Sequence, residues 1–172
     1  MNVSLQQFRS LPSIEEIEAP KVVYHMTSKD NAASIIKDGK IKTGRDFICF
    51  FFPNKESILR YIKISKADAG RMFYDFDGRV HQAPPLDHAN TVILELIPRG
   101  KETMAWYREN TTVGDNANPA VLGSMFDDCR ICHYGDMRFY NNKDVRVIPL
   151  TEIDEQYKDD PVLKEIDALM NK

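Results

Sequence analysis

The stretch VVYHMTSKDNAASIIKDGKI, residues 22–41, decides the predicted fold of this chain. Its first residues are β-branched and aromatic, which is typical of a β-strand. A helix is predicted to follow directly, because Ser28 or Asp30 can cap its first turn. Gly39 suits the position just after the helix, where the backbone commonly turns left-handed. The sequence therefore predicts a strand that passes without a linker into a helix.

Three hydrogen-bonding side chains collect where this strand meets the helix. Alternate residues of a strand point to the same side, so His25 and Thr27 share one face. Asn31 follows in the first helical turn, where free N–H groups and the helix dipole favour an anionic ligand. Structural roles also fit these residues: a strand-end His, a Thr with high β-propensity and an Asn at a helix start. The stretch alone favours the structural interpretation.

A second strand and helix are predicted from DFICFFFPNKESILRYI, residues 46–62. The strand is apolar on both faces, which indicates a central position in a sheet, and the helix begins near Asn54. Arg45 precedes the strand and could bind a phosphate through charge-assisted hydrogen bonds. Phe50 on the strand and Tyr61 on the helix could enclose a flat heterocycle. The two stretches together indicate a nucleotide pocket, against the alternative of a buried strand packed by a helix.

The remaining pattern predicts an α+β chain with one domain over residues 21–172, preceded by an arm or short helix over residues 1–20. The other predicted elements are a loop at 74–90, a strand at 91–98, an irregular stretch at 99–123, paired strands around a hairpin-like turn at 136–150 and an amphipathic helix at 160–172. Long irregular stretches often carry recognition loops. The segment 99–123 is therefore a candidate for contact with a substrate.

Composition excludes several classes of protein. A net charge of −3 gives no global sign of nucleic-acid binding, and no apolar run is long enough to cross a bilayer. We expect a cytoplasmic protein without membrane contact. The three cysteines are an odd number, which argues against a disulfide framework. Cys129, Cys132 and His133 form a CRICH motif, for which ordinary buried thiols are favoured over metal or haem.

The stretch YHMTSKDNAASIIKDGKI resembles the first motif of the ADP-ribosyltransferase superfamily. It is most similar to the start of DarT-type DNA ADP-ribosyltransferases, in which a His-x-Thr precedes an Asn and an Ile-rich helix closed by Gly. DFICFFFPNKESILRYI resembles the next block of that family, and also a segment of poly(ADP-ribose) polymerases. The resemblance covers about a third of the chain. It implies an ADP-ribosyltransferase-like split central β-sheet with flanking helices.

The resemblance also implies NAD as a substrate and assigns residues to it. Its adenosine side would be held by residues at the first strand end and the helix start, His25, Met26, Thr27 and Asn31. Arg45 would bind the pyrophosphate. The nicotinamide would lie against Phe50 and Tyr61.

A catalytic Glu on a late strand completes the family pattern, and the similar segment here, YGDMRFYNNKDVRVI, carries Asp136 instead. A carboxylate at this place would stabilise the positive charge that develops when the bond to nicotinamide breaks. Three outcomes are open. Asp136 acts although it is one methylene shorter, Glu95 substitutes from another strand, or the domain binds NAD without transfer.

The acceptor implied by the closest family is DNA, and a protein side chain is the other candidate. Residues of the irregular stretch, Trp106, Tyr107 and Arg108, would then lie over the site, with the two aromatics stacking on a base or serving as packing anchors. The main alternative function is a non-catalytic member that binds NAD, ADP-ribose or a nucleic-acid end. An RNA 2′-phosphotransferase-like activity is disfavoured because Arg45 is the only obvious basic residue at the site.

Overall fold

The computed structural model describes residues 14–43, 48–74, 78–99, 106–109, 131–156, 158–159, 161 and 164. The strands are β1 (Ile14–Glu16), β2 (Val23–Ser28), β3 (Lys40–Ile41), β4 (Ile48–Phe51), β5 (Met72–Tyr74), β6 (Val80–Gln82), β7 (Thr91–Leu96), β8 (Trp106–Glu109), β9 (Ile131–Tyr134), β10 (Met137–Arg138) and β11 (Arg146–Pro149). The helices are α1 (Lys29–Asp38), α2 (Lys55–Asp68) and α3 (Leu150–Gln156). The predicted α+β class is confirmed. Within the described ranges, none of these helices has the length and apolar character needed to span a membrane.

Helix α1 begins and ends as the sequence predicts. The Ser28 side chain accepts a hydrogen bond from the Asn31 backbone N–H at 3.2 Å, which satisfies one donor of the first turn. Gly39 has φ of 69°, and its N–H donates to the Ile35 carbonyl oxygen at 2.9 Å. This left-handed residue ends the helix and turns the chain directly into β3. The first turn of helix α2 is capped as that of α1 is, because the Asn54 side chain accepts a hydrogen bond from the Ser57 backbone N–H at 2.8 Å.

Two antiparallel sheets carry most of the fold. The first has the strand order β1-β8-β9-β4, and the second has the order β11-β7-β2. Strand pairs β3–β10 and β5–β6 form two smaller sheets. In the second sheet Tyr24 lies opposite Glu95, and His25 lies opposite Leu94. Because opposed residues share a face, this register fixes which side chains lie on which side of the sheet.

The two main sheets meet where β2 and the end of β4 touch. Tyr24 N–H donates to the Phe52 carbonyl oxygen at 3.0 Å, and Phe52 N–H donates to the Tyr24 carbonyl oxygen at 2.8 Å. This antiparallel pair is an isolated bridge and is not continued as a ladder between the described parts of β2 and β4. The sheets therefore diverge from the Tyr24–Phe52 pair and leave a cleft between them.

The core is divided between the two faces of the β2–β7 sheet. Val23, Leu94 and Trp106 belong to one buried cluster, whereas Ile93 belongs to a second, against which Tyr24 packs. Burying an aliphatic side chain of this size stabilises the fold by about 1.5–3 kcal/mol. Alternate side chains of the two strands thus point into opposite clusters, and the same alternation fixes the orientation of the polar residues between them.

Several element predictions differ from the structure. The segment 74–90, predicted as a loop, contains β6, which pairs with β5. The hairpin predicted at 136–150 is wrong, because β10 pairs with β3 whereas β11 pairs with β7. Strand β4 lies at the edge of its sheet and not at the centre. Its position at the cleft explains the double-sided apolar pattern.

The two ends of the chain show a further difference. Residues 14–16, within the predicted arm or helix, form the edge strand β1 and pair with β8. Helix α3 follows β11 directly, at a position where the sequence analysis predicts no helix. Most of the predicted C-terminal helix at 160–172 lies outside the described residues.

Candidate functional site

His25 lies at the point where the two sheets diverge. Its Nδ1 atom is 3.1 Å from the Phe50 carbonyl oxygen, and its ring centroid is 5.6 Å from that of Phe51. A carbonyl oxygen only accepts hydrogen bonds, so Nδ1 carries the proton and donates. The imidazole thus connects β2 with β4 one residue beyond the Tyr24–Phe52 pair.

The protonation state of His25 follows from its surroundings. Burial lowers its pKa below the ordinary value, and the hydrogen bond to Phe50 offsets this only in part. The ring is therefore neutral at neutral pH. With Nδ1 protonated, Nε2 keeps its lone pair and is a hydrogen-bond acceptor. An acceptor of this kind suits a sugar hydroxyl.

A cavity of about 440 Å³ opens beside His25, between β2, α1, β3 and β4. This volume lies within the range of about 300–1,000 Å³ that is common for ligand sites. Its polar and charged lining residues are His25, Thr27, Asn31, Ser34, Asp38, Lys40 and Lys42, and its apolar lining residues are Ile35, Ile41, Ile48, Cys49 and Phe50. An apolar surface with a few convergent polar groups is the usual form of a small-molecule site.

Helix α1 contributes more of this lining than the sequence analysis assigns to it. Asn31, Ser34, Ile35 and Asp38 are spaced three, four and seven residues from the first, so they form one face of the helix. Of these residues, Asn31 is predicted from the sequence, whereas Ser34 and Asp38 are not. The helical period that begins at Asn31 is the signal that could have identified both residues.

Two ion pairs form the charged edge of the cavity. Lys40 Nζ lies 3.3 Å from Asp136 Oδ2, and Lys42 Nζ lies 2.8 Å from Asp38 Oδ2. The other oxygen of Asp136 accepts a hydrogen bond from Thr43 N–H at 2.9 Å. That backbone hydrogen bond, with Lys40, lowers the pKa of Asp136, and the hydrogen bond from Lys42 lowers the pKa of Asp38. Both carboxylates are therefore ionised at neutral pH.

A smaller cavity of about 180 Å³ lies on the other side of His25. It is lined by His25, Met26, Phe50, Phe51, Phe52 and Tyr61. The Tyr61 and Phe52 rings meet edge to face, with centroids 5.2 Å apart. His25 and Phe50 thus border both cavities.

The structure brings most of the predicted binding residues together. His25, Thr27, Asn31 and Phe50 line the larger cavity, and Met26 and Tyr61 line the smaller one. Arg45 lies outside the described residues.

The two predicted carboxylates stand in different places. Asp136 follows β9 and is tied through Lys40 to the edge of the larger cavity. Glu95 lies opposite Tyr24 in the β2–β7 register, on the sheet face opposite to that of His25. Glu95 lines neither of the two cavities that His25 borders.

The aromatic residues of the irregular stretch belong to the core. Trp106 is fully buried and Tyr107 is 3% exposed, whereas Arg108 is exposed on the same strand. The Trp106 ring packs against the rings of Phe51 and His133, with centroid distances of 5.3 Å and 4.8 Å. In this structure Trp106 and Tyr107 act as packing anchors, which is one of the two roles the sequence leaves open, and they form part of a strand.

The CRICH motif is only partly described. Cys132 is a buried thiol on β9, His133 is its buried neighbour, and Cys129 lies outside the described residues. The described part of the chain contains no group of three or more His, Cys, Asp or Glu side chains placed to hold a metal ion.

No protein-family model, curated protein or solved structure matches this chain.

Proposed function

We propose that this chain is a mono-ADP-ribosyltransferase that transfers ADP-ribose from NAD to a macromolecular acceptor, DNA or protein. The fold proposed with it is the split central β-sheet of the ADP-ribosyltransferases. One observation carries the proposal. Two cavities adjoin where the sheets diverge, and His25 and Phe50 lie between them and line both. A dinucleotide has two ends of different chemistry, and two adjoining cavities of different character suit it.

The larger cavity fits the adenosine side of NAD. The neutral Nε2 of His25 would accept a hydrogen bond from a ribose hydroxyl, and the side chains of Thr27 and Asn31 would hydrogen-bond the same sugar. The apolar residues Ile35 and Ile48 provide a surface for the flat adenine. Polar groups placed beside an apolar surface would fix the orientation of a bound nucleotide.

The smaller cavity fits nicotinamide. Phe50 and Tyr61 present aromatic surfaces that would stack on the ring. Bound NAD supplies a reactive bond between nicotinamide and ribose, whose cleavage allows an acceptor to take the ADP-ribose. Residues at the junction of the cavities would hold the nicotinamide ribose between the two ends. When the bond from ribose C1′ to nicotinamide breaks, nicotinamide leaves with the electron pair of that bond, and the acceptor nucleophile bonds to C1′ and releases its proton to solvent.

Asp136 is the proposed catalytic carboxylate of this reaction. It is ionised, and its contact with Lys40 ties it to the edge of the larger cavity. To act, it would have to reach the nicotinamide ribose at the junction of the two cavities, where a negative charge would stabilise the positive charge that develops during bond cleavage. Glu95 is not included in the proposal because it lines neither cavity.

The test is release of nicotinamide by the purified full chain. NAD is incubated with single-stranded DNA, duplex DNA or a cell lysate, and free nicotinamide and labelled acceptor are measured. We expect release with at least one acceptor, and loss of release in Asp136→Asn and His25→Ala. Asp159→Asn is the matched control, because Asp159 is also an ion-paired carboxylate, 3.7 Å from Lys164, but does not line the cavity. Release that is unchanged in both test variants would contradict the proposed site.

Binding without transfer is the second candidate function, and one observation favours it. Both oxygens of Asp136 are already engaged, one by Thr43 N–H and the other by Lys40. A carboxylate held in this way would need to give up a partner to reach a ribose. Thermal stabilisation by NAD and by ADP-ribose, without nicotinamide release under any acceptor condition, would support this second function.

A further inference from the structure

The two lysines of the larger cavity are placed by the local chain geometry. Lys40 and Lys42 flank Ile41, which is 4% exposed and belongs to the core. Lys40 on β3 and Lys42 just after it alternate with Ile41, so their side chains lie on the same side of the segment, and both line the cavity. The pairing of Lys40 with Arg138 in β3–β10 holds this segment in place.

Each lysine is paired with a carboxylate at the cavity edge. Asp136 contacts Lys40 and Asp38 contacts Lys42, so the two positive charges are balanced by two negative ones. The Lys40 side chain is 24% exposed and that of Lys42 is 63% exposed, which leaves both accessible from solvent. Ion pairs open to solvent in this way contribute little to stability. Exchange of the carboxylate for another anion therefore has a small cost.

We propose that Lys40 and Lys42 form a phosphate-binding subsite, and that Asp136 and Asp38 act as internal competitors for it. The ligand class is a nucleoside carrying one or more phosphates, because the cavity also offers a sugar-binding group at His25 and hydroxyl and amide groups at Ser34 and Asn31. This inference rests on the proposed function in placing the sugar beside His25. It assigns the phosphates to residues that neither the sequence pattern nor the resemblance identifies.

Neutralising Asp136 or Asp38 is expected to strengthen phosphate binding, whatever its effect on transfer. Removing the charge of Asp136 or Asp38 releases a lysine from its partner, so a phosphate can bind without displacing a carboxylate. Affinity for a phosphorylated ligand then rises. A carboxylate that merely supported the fold of the cavity would give lower affinity for every ligand when neutralised.

The experiment is calorimetric titration of the full chain with adenosine, ADP, ADP-ribose and NAD. We expect wild type to bind ADP about tenfold more tightly than adenosine, as a charge-assisted contact to phosphate predicts. The double variant Lys40→Gln/Lys42→Gln should lose this preference and keep its adenosine affinity. Asp136→Asn and Asp38→Asn should each bind ADP about threefold more tightly, with adenosine unchanged. Lys143→Gln and Asp159→Asn, which change exposed charges away from the cavity lining, should match wild type.

The outcomes separate this inference from the proposed function. Tight NAD binding that the double lysine variant leaves unchanged overturns the subsite and keeps the proposed function. Lysine-dependent binding of ADP without any binding of NAD keeps the subsite and overturns the proposed function. Absence of binding of all four ligands to wild type and to both aspartate variants overturns both. Adenosine affinity and thermal unfolding distinguish a specific loss from misfolding in each variant.

Discussion

The His25 side chain takes the place of a backbone partner for Phe50. Nδ1 of His25 donates to the Phe50 carbonyl oxygen over 3.1 Å, while Phe52, two residues later, makes a regular backbone pair with Tyr24. Carbonyls two residues apart on a strand face the same edge, so both oxygens point from β4 towards β2. The backbones of β2 and β4 no longer pair at Phe50, and the His25 imidazole is long enough to reach the Phe50 carbonyl oxygen across the gap. The two sheets can therefore separate and leave a cleft without losing this hydrogen bond.

Replacing His25 should separate its structural role from its binding role. His25→Ala removes the donor to Phe50 and should lower the free energy of unfolding by about 1 kcal/mol. His25→Asn places an amide donor near the position of Nδ1 and should recover most of this loss, but it has no equivalent of Nε2. Both variants should therefore bind NAD weakly. Urea unfolding followed through the single Trp, Trp106, measures stability. Equal destabilisation by Ala and Asn would contradict the role given to Nδ1.

The lowered pKa of His25 predicts how stability depends on pH. In the unfolded chain the ring binds a proton below its ordinary pKa of 6.5, whereas burial keeps the folded ring neutral to a lower pH. The unfolded state therefore binds more protons in this interval, and stability falls as the pH drops below 6.5 towards the folded pKa. The difference in unfolding free energy between wild type and His25→Asn should shift with pH in this window only. A constant difference between pH 7.5 and about 4.5 would contradict a neutral, half-buried His25.

Phe50 and Phe51 are adjacent, but mutation should lower mainly stability at Phe51 and mainly NAD affinity at Phe50. Phe51 is fully buried and contacts Trp106, so Phe51→Ala should cost about 3–5 kcal/mol and leave little folded protein. Phe50 is 42% exposed and borders both cavities, so Phe50→Ala should cost less than about 1.5 kcal/mol. NAD affinity of Phe50→Ala should fall nevertheless. Thermal unfolding and NAD titration of the two variants, with wild type alongside, measure this contrast.

The first two strand-helix units could be predicted because their signals are local. Ser28 and Gly39 mark the two ends of α1, and Asn54 marks the start of α2, through interactions within a few residues of the chain. The grouping of His25, Thr27 and Asn31 in one cavity follows from strand alternation and helix position. These features depend on short-range geometry, which a single sequence carries.

The partners of each strand could not be predicted because they are set by contacts distant in the chain. Strands β10 and β11 look like a hairpin in sequence, but β10 pairs with β3, about 100 residues away, as the register of Met137 with Ile41 shows. Glu95 and His25 could share a site in the sequence, and only the register of β7 against β2 separates them. A role in ligand binding could not be predicted for Lys40 and Lys42, because the cavity that they line is formed by four elements that are separate in the sequence.

Backbone strain should set the loss of stability when Gly39 is substituted. Its φ of 69° is unfavourable for a residue with a Cβ, and among the described residues other than its two chain neighbours none has an atom within 4 Å of the position that a Cβ would occupy. Gly39→Ala should therefore cost about 1 kcal/mol through the backbone alone. Gly39→Asn should cost less because Asn adopts this conformation more readily. Chemical denaturation of both variants gives the comparison, and equal losses would indicate a steric clash instead.

Tyr61 should distinguish NAD from ADP-ribose. It lines the smaller cavity with His25 and Phe50 and does not line the larger one. If nicotinamide stacks there, Tyr61→Ala should weaken NAD binding by about tenfold, or 1.4 kcal/mol, and leave ADP-ribose affinity nearly unchanged. Tyr61→Phe keeps the aromatic surface and should retain most of the NAD affinity. The ratio of the two affinities is the deciding quantity, because a general loss of folding lowers both and leaves the ratio constant. A ratio unchanged in Tyr61→Ala would place the nicotinamide elsewhere.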